Sequence, residues 1–173
     1  MVSLRQAFRG HPSHEISESA CIIVPVTGSE SDERLLKVVE RIARRQNANV
    51  NIIYVVEVVQ SMPLDAELPV ECEQGENVLE RARREVSRNL ENKASTVNTE
   101  MLQARSAGAA IVDEAIVREA DAIVMSASIQ RRFGKLTIGE TTEYVLRNAP
   151  CEVIVIRQAM PEWLLESLEV EVE

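Results

Sequence analysis

Cations, hydroxyls and glycine crowd into one stretch near the end of this chain, between two apolar runs. Ser126 follows Ala122-Ile123-Val124-Met125, and Arg131, Arg132, Lys135, Gly139, Glu140, Thr141 and Thr142 come before the second run, Val153-Ile154-Val155-Ile156. Guanidinium and ammonium groups attract anions, and a helix opening near Gly139 would offer unpaired backbone N–H groups to the same anion. In α/β proteins a loop that leaves the carboxyl end of a buried strand and enters a helix is where nucleotides and anions bind. The chemistry expected here is therefore binding, through Arg131, Arg132, Lys135, Gly139 and the Thr141 or Thr142 hydroxyl. The simpler reading of the same cations is a solvated basic loop.

The other reactive side chains do not assemble into a catalytic set. His11 and His14 are the only histidines and stand in a polar leader, without a third ligand at metal spacing. A Ser-His-Asp or Cys-His mechanism would have to borrow them from that leader. Cys21, Cys72 and Cys151 are far apart and lack CxxC or Cys/His spacing, which predicts reduced thiols in the cytoplasm. Cys151, after Pro150, reads as a packed thiol at a strand start. Asp32 and Glu33 read as first-turn helix acids, Glu57 as a strand-end carboxylate and Asp121 as the residue entering a strand. A phosphoacceptor of receiver type would need Asp at the carboxyl end of the third strand, where Gln103-Ala104-Arg105 stands. No metal-binding carboxylate can be placed beside a water-positioning group, so neither an enzyme nor a metal site is expected.

These residues need a scaffold, and the apolar pattern supplies one. Cys21-Ile22-Ile23-Val24-Pro25-Val26 is a continuous apolar run, the mark of a strand buried on both faces, and Val50 to Val58 reads as a second buried strand. Between them lies a helix over 31–46, capped by Ser29 or Ser31, with Leu35, Leu36, Val39, Ile42 and Ala43 on one face. A long loop is expected over 60–75 and helices over 76–94, 108–119 and 139–148. Strands are expected over 96–104, 121–125 and 153–156. Five strands alternating with helices predict a doubly wound parallel sheet with helices on both faces. The 173 residues are 45% hydrophobic but only 3% aromatic, so the core must be aliphatic. The net charge of −9 opposes a nucleic-acid footprint, and no run is long and apolar enough to span a bilayer. Residues 1–19 read as a polar tail or linker, 20–158 as the domain and 159–173 as an acidic amphipathic extension.

The chain resembles the universal stress protein family over about 20–157. The resemblance rests on Ile22-Ile23-Val24-Pro25-Val26-Thr27-Gly28-Ser29-Glu30, on Tyr54-Val55-Val56-Glu57, on Gly108-Ala109-Ala110-Ile111, and above all on the stretch from Ile138-Gly139-Glu140 to Ala149-Pro150-Cys151-Glu152 and Val153 to Arg157. It implies the strand order 3-2-1-4-5 and a homodimer made by the fifth strand, through Val153, Ile154, Val155 and Ile156. Family members that bind ATP are similar to one another in a Gly-x2-Gly-x9-Gly-Ser/Thr loop and an Asp ending strand one. Those positions here are Ser126, Ile129, Gly139 and Glu140, with Thr27 ending strand one; only Gly139 matches. Val55, at the end of the second strand, is also a candidate pocket residue. Ile129 puts a branched side chain where glycine lets backbone approach phosphate, and Glu140 puts a negative charge at a helix start.

The resemblance thus implies a non-catalytic regulatory or interaction domain with a degenerate ATP pocket. The alternative is a nucleotide sensor that takes ATP, AMP or a cyclic nucleotide through 126–142, with an adenine nucleotide as its ligand. Similar domains occur fused after the membrane part of amino-acid or ion transporters, and the passage from Tyr54 to Pro63 resembles those, which sets the domain at the cytoplasmic face of a membrane as a further reading. Pro161 to Leu168, with Trp163, Leu164 and Leu168, reads as a short amphipathic helix that docks onto the protein's own dimer.

Overall fold

A computed structural model describes residues 20–88, 90, 95–127, 129–132 and 135–157, with side chains over the same residues except 130–136. The leader with His11 and His14 and the extension with Trp163 lie outside the described residues. Strand β1 (Cys21–Val26) leads to helix α1 (Ser31–Gln46), β2 (Asn49–Glu57), α2 (Pro69–Ser87), β3 (Val97–Ala104), α3 (Ala107–Val117) and β4 (Ala122–Ala127). A hairpin of β5 (Ile129–Arg132) and β6 (Lys135–Ile138) then precedes α4 (Glu140–Asn148) and β7 (Glu152–Arg157). The main sheet has five parallel strands in the order β3-β2-β1-β4-β7, the expected doubly wound order with β7 as its fifth strand.

Strand β1 shows why the sheet is central. Ile22, Val24 and Val26 pack into the layer under α1 and α2, while Ile23 packs into the layer under α3 and α4. Full burial of each such side chain contributes about 1.5–3 kcal/mol, and it requires both faces to be covered. α1 answers with Leu35, Leu36, Val39 and Ala43 on one stripe, and α3 with Ile111, Val112 and Ala115. Asn47, in the left-handed conformation at φ 52°, ends α1. Among the described residues no helix is long and apolar enough to cross a membrane.

The structure departs from expectation at three places. α2 starts at Pro69 and ends at Ser87, where the sequence pointed to a loop over 60–75 and a helix over 76–94. Pro69 is the first helical residue, a position that tolerates its missing N–H. Gly75 is no loop residue but a close-packing point, because a Cβ there would stand 2.7 Å from both Met101 Sδ and Tyr54 Cδ1. Second, the expected open loop after β4 is folded into the β5–β6 hairpin, with Ile129 opposite Ile138 and Arg132 opposite Lys135. Third, α1 has Glu30 as its capping residue with no side-chain cap, so neither Ser29 nor Ser31 closes the helix.

Candidate functional site

β1 and β4 are neighbours in the sheet, yet the chain leaves β1 toward α1 on one face and reaches α4 on the other face after β4. A crevice opens at the carboxyl ends of two such strands, and this is the place where open α/β sheets take ligands. Here it is lined by hydroxyls. Thr27 Oγ1 lies 2.8 Å from Ser29 Oγ, Ser29 Oγ lies 2.6 Å from Ser31 Oγ, and the Ser31 hydroxyl donates to Ser126 Oγ at 3.2 Å. A chain of four hydroxyls thus runs from the end of β1 to the end of β4.

Beneath that chain sits Asp32, only 2% exposed. Its carboxylate accepts the backbone N–H of Gly28 at 2.7 Å and of Thr27 at 3.0 Å. Burial pushes the Asp32 carboxyl above its ordinary value; the bonds from Gly28 and Thr27 and the nearby Arg81 charge pull it back only partly. The same loop is held from outside. Arg81 on α2 donates to the Gly28 carbonyl at 3.3 Å, and Gly28, at φ 83°, leaves only 2.8 Å between a built Cβ and Val78 Cγ2. Between this loop and α2 lies a groove of about 520 Å³, lined by Gly28, Val70, Glu73, Gln74, Asn77 and Arg81.

Other helix ends at this edge are already satisfied from within. Glu57 accepts the Ala107 N–H at 2.7 Å, and the Ser106 side chain caps α3 by accepting from Ala109. Gln103 and Arg105, where a receiver-type Asp would stand, instead staple the loop after β2. Gln103 donates to the Ala66 carbonyl at 2.9 Å, and Arg105 to Val58 at 3.2 Å and Met62 at 2.7 Å.

Of the residues singled out from sequence, Thr27 and Ser126 are brought together through Ser29 and Ser31. Val55 is at the correct end of β2, but its side chain packs into the α3/α4 layer. Ile129 begins the hairpin, half-buried. The backbones of Arg131, Arg132 and Lys135 are hairpin strands, and their side chains lie outside the described residues. Gly139 precedes α4 at φ −54°, with no atom within 4 Å of a built Cβ, so no protein contact demands glycine there. Glu140 is exposed in the first turn of α4, Thr141 is half-buried and Thr142 is buried. Sequence reasoning missed Ser29, Ser31 and Asp32 as site residues by assigning them to the helix end. Cys21 and Cys151 are half-buried thiols pushed up by burial first and by the Asp121 carboxylate second. Among the described residues no cluster of three metal-capable side chains occurs.

Comparison with known proteins fits this geometry. The model of the universal stress protein family matches residues 21–157. A universal stress protein of Methanocaldococcus jannaschii is 31% identical over 147 residues, covering 82% of this chain and 84% of the relative. The chain belongs to the universal stress protein family. Two solved structures of universal stress proteins from Archaeoglobus fulgidus share the fold. One has a TM-score of 0.65 at 22% identity, over 79% of this chain and 98% of the other. The second, a complex with dAMP, has a TM-score of 0.62 at 20% identity, over 81% and 99%. In this universal stress protein the buried Asp32 carboxylate beside the end of β1 already holds the backbone of its own loop.

Proposed function

We propose that this universal stress domain is a non-catalytic regulatory module whose nucleotide pocket is degenerate and which works as a homodimer through β7. The observation that supports it most is the β5–β6 hairpin. Where an open glycine loop would turn its N–H groups toward phosphates, residues 129–132 pair with 135–138 in an antiparallel ladder. The edge position of β7 supports the dimer: Val153, Ile154, Val155 and Ile156 are each half-buried, and among the described residues β7 pairs with β4 alone. A cytoplasmic setting follows from the reduced-thiol reading, and a transporter-linked one rests on the Tyr54 to Pro63 resemblance. A reading frame with membrane spans upstream of residue 1 tests the latter.

A nucleotide-sensing module is the second reading, favoured by the hydroxyl chain from Thr27 to Ser126 and by the dAMP complex of a structural relative. Calorimetric titration with ATP, AMP and cyclic AMP, with and without magnesium, separates the two. No heat at millimolar ligand supports the degenerate pocket. Saturable binding that is lost in Arg131→Ala/Arg132→Ala overturns it in favour of the sensor.

A further inference from the structure

Among the described residues nine large apolar side chains are exposed, and four of them, Val59, Met62, Leu64 and Val70, lie on the one stretch that joins β2 to the first turn of α2. The other five are divided among α3, β6 and α4. Single exposed apolar residues are ordinary, whereas several on one short stretch mark a contact surface. Two turns gather this one: the Met62 N–H donates to the Val59 carbonyl at 3.1 Å, and the Ala66 N–H to the Pro63 carbonyl at 3.2 Å. The end of β3 holds it from behind. Arg105 donates to the carbonyls of Val58, Val59 and Met62, and Gln103 to that of Ala66. The backbone is thus fixed while Val59 remains 60% exposed, Leu64 48% and Val70 71%. Apolar side chains held outward on an ordered backbone bind a partner without the cost of ordering a loop first.

The rim decides which partner. From Gln46 to Glu80 the sequence has no Lys or Arg but seven acids, and Asp65, Glu67, Glu71 and Glu73 stand exposed among the apolar four. Among the described residues none of these four carboxylates is in an ion pair. The α2 dipole accounts for Glu71, in its first turn, but Asp65 and Glu73 lie outside that turn. Val70 and Glu73 also line the groove of about 520 Å³ beside Gly28. The patch therefore runs on into a recess that an anchoring side chain can fill, and the groove's cation, Arg81, is turned to the Gly28 carbonyl.

We propose that the surface from Val59 to Glu73 docks a cationic amphipathic helix of another protein, its apolar side on Val59, Leu64 and Val70 and its Lys and Arg against Asp65, Glu67, Glu71 and Glu73. The stretch presents side chains rather than an open strand edge, which suits a helix with anchors three and four residues apart. An anionic membrane or a nucleic acid would be repelled by the same carboxylates. No member of the hydroxyl chain and no residue of β7 belongs to this surface, so it stands whether or not the crevice takes a nucleotide and whether or not β7 pairs.

The probe is a fluorophore-labelled synthetic helix of leucine and lysine, titrated into the full chain and followed by anisotropy. Two controls accompany it: the same composition with leucine spread around the helix, and an oligolysine of equal charge. The amphipathic peptide should bind about tenfold or more tightly than either control, and Val59→Ser/Leu64→Ser/Val70→Ser should weaken it by about tenfold or more. Glu67→Gln/Glu71→Gln/Glu73→Gln should weaken it at low salt and flatten its salt dependence. Far-UV circular dichroism checks the fold of each variant, and Val59→Ser/Leu64→Ser alone serves if the triple variant unfolds. Hydrogen exchange in the complex should slow over 59–74. Equal affinity for the three peptides, or unchanged affinity in the folded apolar variant, overturns the proposal. So does protection on a different face, and so does displacement of the peptide by excess unlabelled chain, which would assign the surface to a second copy.

Discussion

The Asp32 carboxylate accepts the Gly28 N–H at 2.7 Å, joining a residue in the first turn of α1 to the loop that precedes the helix. A second bond, from the Thr27 N–H at 3.0 Å, makes the carboxylate the internal anion of that loop. The backbone donors that a ligand could have used at the end of β1 are therefore engaged from inside, while the outward surface of the crevice is left to the hydroxyls of Thr27, Ser29, Ser31 and Ser126.

Asp32→Ala should destabilise the fold by about 1–3 kcal/mol, because two part-buried backbone N–H groups lose their acceptor. Chemical denaturation of the variant at neutral pH checks this. A loss below a few tenths of a kcal/mol would mean that water replaces the carboxylate without penalty.

The raised Asp32 carboxyl also fixes a sign with pH. Burial holds it above its ordinary value of 3.8, so the folded chain binds this proton more tightly than the unfolded chain does. Its contribution to stability is fully present below 3.8, and it is lost as pH rises through the raised value. Wild type should therefore gain on Asp32→Asn as pH falls from about 7 to about 4, the range approaching an ordinary carboxylate. A stability difference that stays flat, or that shrinks toward acid, would contradict the assignment.

Gly28→Ala should cost about 1–3 kcal/mol, through positive φ and the encounter with Val78. The two causes can be separated. In the Gly28→Ala/Val78→Ala double variant the steric part should be relieved and the backbone part should remain, giving a measurable coupling between neighbours. Purely additive losses would show that Val78 yields freely and that φ alone carries the penalty.

Much of this fold was legible because its signals are local. The run from Ile22 to Val26 and the stripe Leu35, Leu36, Val39, Ala43 each announce their burial within one element, and the alternation of five strands with helices gives the doubly wound class, whereas the strand order came only with the family resemblance. α2 was misplaced because Pro69 and Gly75 fit a loop as well as they fit a helix start and a close contact. The hairpin escaped notice because its β-prone residues, Ile129, Leu136, Thr137 and Ile138, are interleaved with charge. The hydroxyl chain could not be read at all from spacing. Ser31 meets Ser126 from 95 residues away, and only the β1–β4 adjacency brings them together, so Ser29, Ser31 and Asp32 looked like ordinary helix-end residues.

Arg105→Ala should release the loop after β2 without unfolding the domain. Its guanidinium holds the carbonyls of Val58 and Met62, while Val59, Met62 and Leu64 on that loop are exposed apolar side chains. Hydrogen exchange over 59–66 should accelerate several-fold, with β1 and β4 amides unchanged, because the loop opens as its own unit. Uniform acceleration across the sheet would instead make Arg105 part of the global fold.

Val155→Asp tests the edge of the sheet. Val155 lies on β7 opposite Met125 of β4 and is half-buried in the α3/α4 layer of a single chain. A charge there that a facing strand would have to bury is strongly unfavourable in a dimer and partly hydrated in a monomer. Sedimentation should show wild type as a dimer and the variant shifted toward monomer by at least tenfold in dissociation constant, with far-UV circular dichroism unchanged. If the spectrum collapses, Val153→Lys at the other end of the same face serves as the second variant. Equal association of folded wild type and both variants would remove β7 as the interface and leave its half-buried face for another covering segment.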